Sequence, residues 1–394
     1  MPRKHVIYIH GRAPKPKPSE FADVIRTAMN TGLRLEHARR NLGGAAKSVP
    51  DPAICGPATE PGVSPDAPLP MFHNTNPGNT VFTIAYYGDI TGQLMSDEAN
   101  EQETFADKFF WRLLAKDYKK WLDDPDALGH RYDKPQMAQT MLAELQNLVS
   151  YDGTLFSKRH WKQAQRDADT GVSLMFDNLG RGLDQVLRLP WLGRQIEDAV
   201  RPRFPDLYAY LKMRYFGSDI RLRLQSVLLG ALADGDEICL IGHSLGTLVS
   251  YDVLWKIGWM SEYKAFRDAP GSITQWVTLG SPLGWSVVQP YLYDGSEFES
   301  FRFPRNVEGT WHNIAAEDDP IAYDQTLKDD FAALEGRKTD LFDGKTKIRD
   351  HKIYNPCFSP VRESGGTAIK LDPHAEVGYL AHRETAGLLT KWLS

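Results

Sequence analysis

Gly242-His243-Ser244-Leu245-Gly246 constrains this chain more than any other segment. The apolar run Glu237-Ile238-Cys239-Leu240-Ile241 stands before it and reads as a buried strand. Thr247-Leu248-Val249-Ser250-Tyr251-Asp252-Val253-Leu254-Trp255 follows and reads as an amphipathic helix. A strand that enters a helix through one tight turn brings two backbones together. Glycine on either side of the serine leaves them room. The serine then sits on a strained turn, with its hydroxyl projecting above the sheet. A bare Gly-x-Ser-x-Gly carries little weight in a chain with 32 glycines. The strand before it and the helix after it give it meaning.

The chain has 394 residues, enough for one large domain or two average ones. Hydrophobic residues make up 42%, which supports a sizeable core. The net charge is -5, from 46 basic and 51 acidic residues. That balance argues against nucleic acid as the main partner, because phosphate binding needs a basic surface. Cys55, Cys239 and Cys357 are too few and too odd a set for a disulfide framework, which favours a reducing compartment. Met1-Pro2-Arg3-Lys4 leads at once into a short strand with no signal-peptide core. No run approaches the roughly 18 apolar residues of a membrane span. The expectation is a cytoplasmic protein without a transmembrane segment.

His5–Ile9 reads as a strand ending in His10-Gly11-Arg12, and Ser19 caps a helix to about Asn41. Residues 43–79 are rich in Pro, Gly, Asn and Ser and read as an exposed excursion. Within it, Gly43–Ser48 resembles the end of a phosphate loop but lacks the glycine before Lys47, and Asn41 stands where the first glycine belongs. Thr80–Tyr86 is the next strand. Residues 90–200 carry helical patterns only, at 101–122, 135–150 and much of 157–200, and read as an insertion or cap. Asp206–Leu232 reads as one long helix. Ile273–Leu279, Thr310–Ala315 and Lys352–Tyr354 are strands, and Glu376–Leu393 is a closing helix. Strands separated by helices imply a mostly parallel α/β sheet. The core is therefore expected over 1–89 and 201–394.

Four segments together resemble the serine esterase/lipase branch of the α/β-hydrolase superfamily. They are Tyr8-Ile9-His10-Gly11, Leu240–Gly246, Thr278-Leu279-Gly280-Ser281-Pro282-Leu283 and Asp318-Asp319-Pro320-Ile321. They cover the sheet, about half of the chain. The resemblance implies an α/β-hydrolase fold with its first two strands absent. It makes Ser244 a nucleophile, with an acid and a histidine following in that order. Glu317, Asp318 and Asp319 all follow the strand at 310–315. Asp319 is preferred, because Asp-Pro-Ile resembles the Asp-x-Val pattern that often carries the acid in this superfamily; Asp318 is the alternative. His374 precedes the closing helix and fits the base. His382 falls inside that helix, His351 opens the last strand and His312 lies within a strand. The oxyanion donors are expected to be the backbone N–H groups of Leu245 and Arg12, with Gly242, His243, Gly246, His10 and Gly11 supporting the turn.

The implied activity is hydrolysis of a carboxylic ester, of a lipid or other acyl compound, without cofactor or metal. An acyltransferase or thioesterase would use the same three residues, and a hydrolase-like binding scaffold would use none of them. Val186–Leu192, flanked by Arg181 and Arg194, fits a lid that touches a membrane surface transiently, although burial against the core is the simpler reading.

Overall fold

The computed structural model describes residues 2–11, 15–16, 18–56, 79–93, 134–150, 205–285, 288–292, 304–317, 319–331, 347–355, 357–363 and 366–394. Its centre is a seven-stranded sheet of β1 (Lys4–Ile9), β2 (Ala53–Cys55), β3 (Thr80–Ala85), β4 (Glu237–His243), β5 (Ser272–Leu279), β6 (Val307–Ala316) and β7 (Lys347–Ile353). The order is β2-β3-β1-β4-β5-β6-β7, and every neighbouring pair is parallel. A separate antiparallel hairpin, β8 (Phe358–Glu363) with β9 (Gly366–Leu371), follows β7.

Period-two alternation along the central strands divides the core into two layers. Ile7 and Ile9 of β1 and Ile238 and Leu240 of β4 face one layer. Val6, Tyr8, Cys239 and Ile241 face the other. The first layer is covered by α4 (Pro205–Lys212), α5 (Arg214–Ala233) and α6 (Leu245–Trp259). The second is covered by α1 (Pro18–Arg39), α9 (Glu376–Ala381) and α10 (Arg383–Leu393). Burial on both faces explains why β1 and β4 read as continuous apolar runs. The short α2 (Gly88–Gln93), α7 (Lys264–Arg267) and α8 (Lys328–Phe331) fill connections.

From β1 the chain moves first to β2 and β3 on one side and later to β4 on the other. The carboxyl ends of β1 and β4 therefore flank a topological switch point, where open parallel sheets form their crevices. His10-Gly11 and Ser244 both stand there.

Several elements differ from the sequence expectation. The sheet gains β2 from inside the 43–79 excursion, where a three-residue edge strand is too short to show periodicity. The strand expected at 352–354 starts at Lys347; its alternating charges suit an edge strand and mask the pattern. His351 is consequently well inside β7 and does not open it. The helix expected over 206–232 breaks at Met213, which is extended (φ -100, ψ 105). There α4 and α5 fold together so closely that a Cβ on Gly217 would lie 2.6 Å from the Tyr210 carbonyl oxygen. The closing helix breaks at His382 (φ -63, ψ 142), whose ring accepts the Glu384 N–H and caps α10. His382 thus has a buried capping role between two helices.

Of residues 90–200, the helix expected at 135–150 is present as α3 (Lys134–Ser150), packed against α1, α9 and β8. The helices expected at 101–122 and 157–200 lie outside the described residues. All three cysteines are free and buried. Among the described residues, no helix is long and apolar enough to cross a membrane.

Candidate active site

One residue, Ser244, separates β4 from α6. Its φ of 52 and ψ of -123 are costly for a side chain other than glycine, on the order of 1–3 kcal/mol. The turn is held from both ends. The Ser244 N–H donates to the Leu279 carbonyl at the end of β5 (2.9 Å), and the Ser244 carbonyl accepts from the Thr247 N–H (2.9 Å) and hydroxyl (2.7 Å). Close approach sets the residues on either side. A Cβ on Gly246 would lie 2.4 Å from the His10 carbonyl oxygen, and one on Gly242 would lie 2.9 Å from that of Gly246. A Cβ on Gly11 would lie 2.7 Å from the Ser244 Cβ. The turn after β1 therefore presses directly on the serine.

His374 and Asp319 meet although 55 residues separate them: Nδ1 of the ring lies 2.8 Å from Oδ2 of the carboxylate. Asp319 stands on the turn after β6, and His374 stands between β9 and α9. The carboxylate also accepts from the Tyr379 hydroxyl (2.6 Å) and the Ile321 N–H (2.9 Å). Burial opposes its charge, but these donors and His374 outweigh it and hold the carboxyl below its usual range. An ionised Asp319 makes Nδ1 of His374 the donor, so Nε2 carries the free lone pair. That atom is buried without a hydrogen-bond partner, the Ser244 hydroxyl included. The ring lies beside the turn that carries Ser244. A Cβ on Gly280, one residue past Leu279, would be 3.0 Å from both His374 Nδ1 and Asp319 Oδ2. Gly280 adopts a φ of +56, a left-handed conformation that suits glycine. Asn355 braces the loop around His374 by donating to the Pro373 (3.0 Å) and Ala375 (3.1 Å) carbonyls.

His243 is packed against this pair. Its Nε2–H donates to the His374 carbonyl (3.1 Å), and the two rings are 4.7 Å apart. Burial keeps His243 neutral by pushing its pKa well down. His10 is also locked in one neutral tautomer: Nε2 accepts the Tyr87 N–H (3.0 Å), so Nδ1–H donates to the Gly11 carbonyl (2.7 Å). Glu317 sits on the turn after β6, half-buried, with its N–H donated to the Ile353 carbonyl (2.8 Å). Arg12 and Asp318 lie outside the described residues. His312 and His351 face each other across β6 and β7, 3.0 Å apart, and His382 caps α10.

A second buried cluster joins the loop after β1 to the segment after His374. Glu376, two residues past His374, accepts from Lys15 Nζ (2.5 Å) and from the Tyr8 hydroxyl. Burial opposes the Glu376 charge, but Lys15 and its other neighbours prevail, and its carboxyl is held below the usual range. Sequence reasoning missed this pair, since neither residue belongs to a motif and their contact spans nearly the whole chain. Among the described residues, no group of three or more His, Cys, Asp or Glu side chains is placed to hold a metal ion.

The buried histidines give a testable pH dependence. Burial pushes His10 and His382 down to about 3 and His312, with His351 and Arg349 nearby, down to about 4. The unfolded values lie near 6.5. As the pH falls below about 6.5, the unfolded chain takes up protons that the folded chain refuses, so stability is lost. Each group costs about 1.4 kcal/mol per pH unit within its window. Denaturant midpoints are therefore expected to fall steadily from pH 7 to pH 5. A flat profile over that range contradicts burial of these rings in neutral form.

Comparison with protein-family models, with curated proteins and with solved structures finds no match to this chain.

Proposed function

We propose that this protein has an α/β-hydrolase fold and is a serine hydrolase that cleaves a carboxylic ester through an acyl-enzyme on Ser244. One observation carries the reading. A histidine oriented by a buried carboxylate, with its Nε2 unpartnered, packs against the strained strand-to-helix turn that carries a serine. In the reaction, His374 Nε2 takes the Ser244 proton as the hydroxyl oxygen attacks the ester carbonyl. Asp319 keeps the ring in the required tautomer and stabilises the imidazolium. Leu245 begins α6, so its N–H has no carbonyl partner within that helix and is available to the oxyanion. The Arg12 N–H is the proposed second donor. The alcohol leaves with the proton from His374, and water then cleaves the acyl-enzyme by the same route. The substrate is a small-molecule ester or lipid, and no cofactor takes part.

A fluorophosphonate reacts with an activated serine and negligibly with ordinary ones. Incubation of the intact protein is expected to give a single adduct, located on Ser244 by peptide mass analysis. No adduct, or an adduct elsewhere, overturns the proposal.

A further inference from the structure

The turn after β1 has an unusual support. The Tyr87 hydroxyl lies 2.8 Å from the His10 carbonyl oxygen and 2.8 Å from that of Gly11. Carbonyls of consecutive residues in a strand point in opposite directions. Here both converge on one hydroxyl, so the chain has turned sharply. In trans peptides the N–H lies opposite the carbonyl, and two carbonyls on one side leave the amide side facing the other way. Consecutive amides on one side form a concavity suited to an anion. Gly11, at the centre of this turn, is the residue pressed against Ser244.

We propose that Tyr87 is a positioning residue that orients the His10-Gly11 turn so that its amide side serves the oxyanion. This rests on the reading of Ser244 as an acylated nucleophile. Tyr87 follows β3, is fully buried, and stacks on the His10 ring at 3.9 Å. Its own N–H fixes the His10 ring, whose other nitrogen donates to the Gly11 carbonyl. The two carbonyls are thus gathered by the phenol and the imidazole of one stacked pair. Burial pushes the Tyr87 pKa well above that of a free phenol, so the hydroxyl keeps the proton it donates. Without it, the buried His10 carbonyl oxygen would lose this donor, the Gly11 carbonyl would keep only the His10 ring, and the turn would relax. The residue touches no substrate and acts only through the backbone.

Tyr87→Phe removes the hydroxyl and keeps the ring. Losing an oxyanion donor outright lowers the rate about 10²–10³-fold. A donor kept but misaimed is expected to cost about tenfold in kcat, with KM within about twofold. The decisive readout is an ester compared with its thionoester, whose sulfur is a weak hydrogen-bond acceptor. The ester is expected to lose about tenfold and the thionoester little, so the ratio of their rates contracts. A merely structural role lowers both equally, through the fraction of folded protein, and leaves the ratio unchanged. An unchanged ratio overturns the inference, as does a rise in KM alone. Fluorophosphonate labelling of the wild type separates the two levels. Labelling at Ser244 with an unchanged ratio refutes only the role of Tyr87, whereas no labelling removes both proposals.

Discussion

Alanine at Ser244 is expected to lower ester turnover by about 10⁶-fold, to the level left by binding and oxyanion donors alone. Ser244 is the proposed nucleophile, so losing its hydroxyl removes the attacking group. His374 Nε2 has no hydrogen-bond partner, and the carboxylates of Asp319 and Glu376 are engaged by their own donors. The substitution is expected to leave the fold intact. The turn is held by the Ser244 backbone, through Leu279 and Thr247, and alanine bears the same backbone strain as serine. Unchanged thermal unfolding together with lost turnover and lost labelling is the predicted result. Turnover within tenfold of the wild type would place the nucleophile elsewhere.

Asparagine at Asp319 is expected to lower turnover by about 10⁴-fold, the scale seen when an amide replaces the acid of such a triad. The side chain is fully enclosed, and each oxygen has an assigned donor: His374 and Tyr379 on Oδ2, Ile321 on Oδ1. An amide NH₂ in the Oδ2 position would meet two donors, so the histidine turns or changes tautomer and its lone pair no longer faces the serine. The positive imidazolium also loses its counter-charge. Asp318→Asn is expected to have a mild effect. Measuring kcat/KM for both variants on one ester decides between them, and the opposite ranking moves the acid to Asp318.

The turn at Gly242–Gly246 was legible because a short motif lay between two segments of clear period, one of strand and one of helix. Order along the chain left Glu317, Asp318 and Asp319 after the strand and pointed to His374 before the closing helix, and the Asp-Pro-Ile resemblance preferred Asp319. The Asp319 and His374 side chains lie 2.8 Å apart. What the sequence hid has physical causes. Lys15, Glu376 and Tyr87 are common residue types whose roles arise from contacts across the fold. The breaks at Met213 and His382 involve single extended residues, which barely disturb a helical period. β2 is too short to be periodic, and β7 is too charged to look like a strand.

The Lys15–Glu376 pair joins residues 361 apart in the chain. It also ties the turn that presses on Ser244 to the loop that carries the base, so neither half of the site is complete alone. Contacts of such sequence separation form late and slowly, because a large loop must close before they repay its entropy. The sheet near β4 to β6, built from neighbouring segments, can assemble earlier. The Lys15–Glu376 contact is therefore expected to form late in folding. During refolding, native-like sheet content should precede activity, and partly folded chains should be well ordered around the serine yet chemically inert.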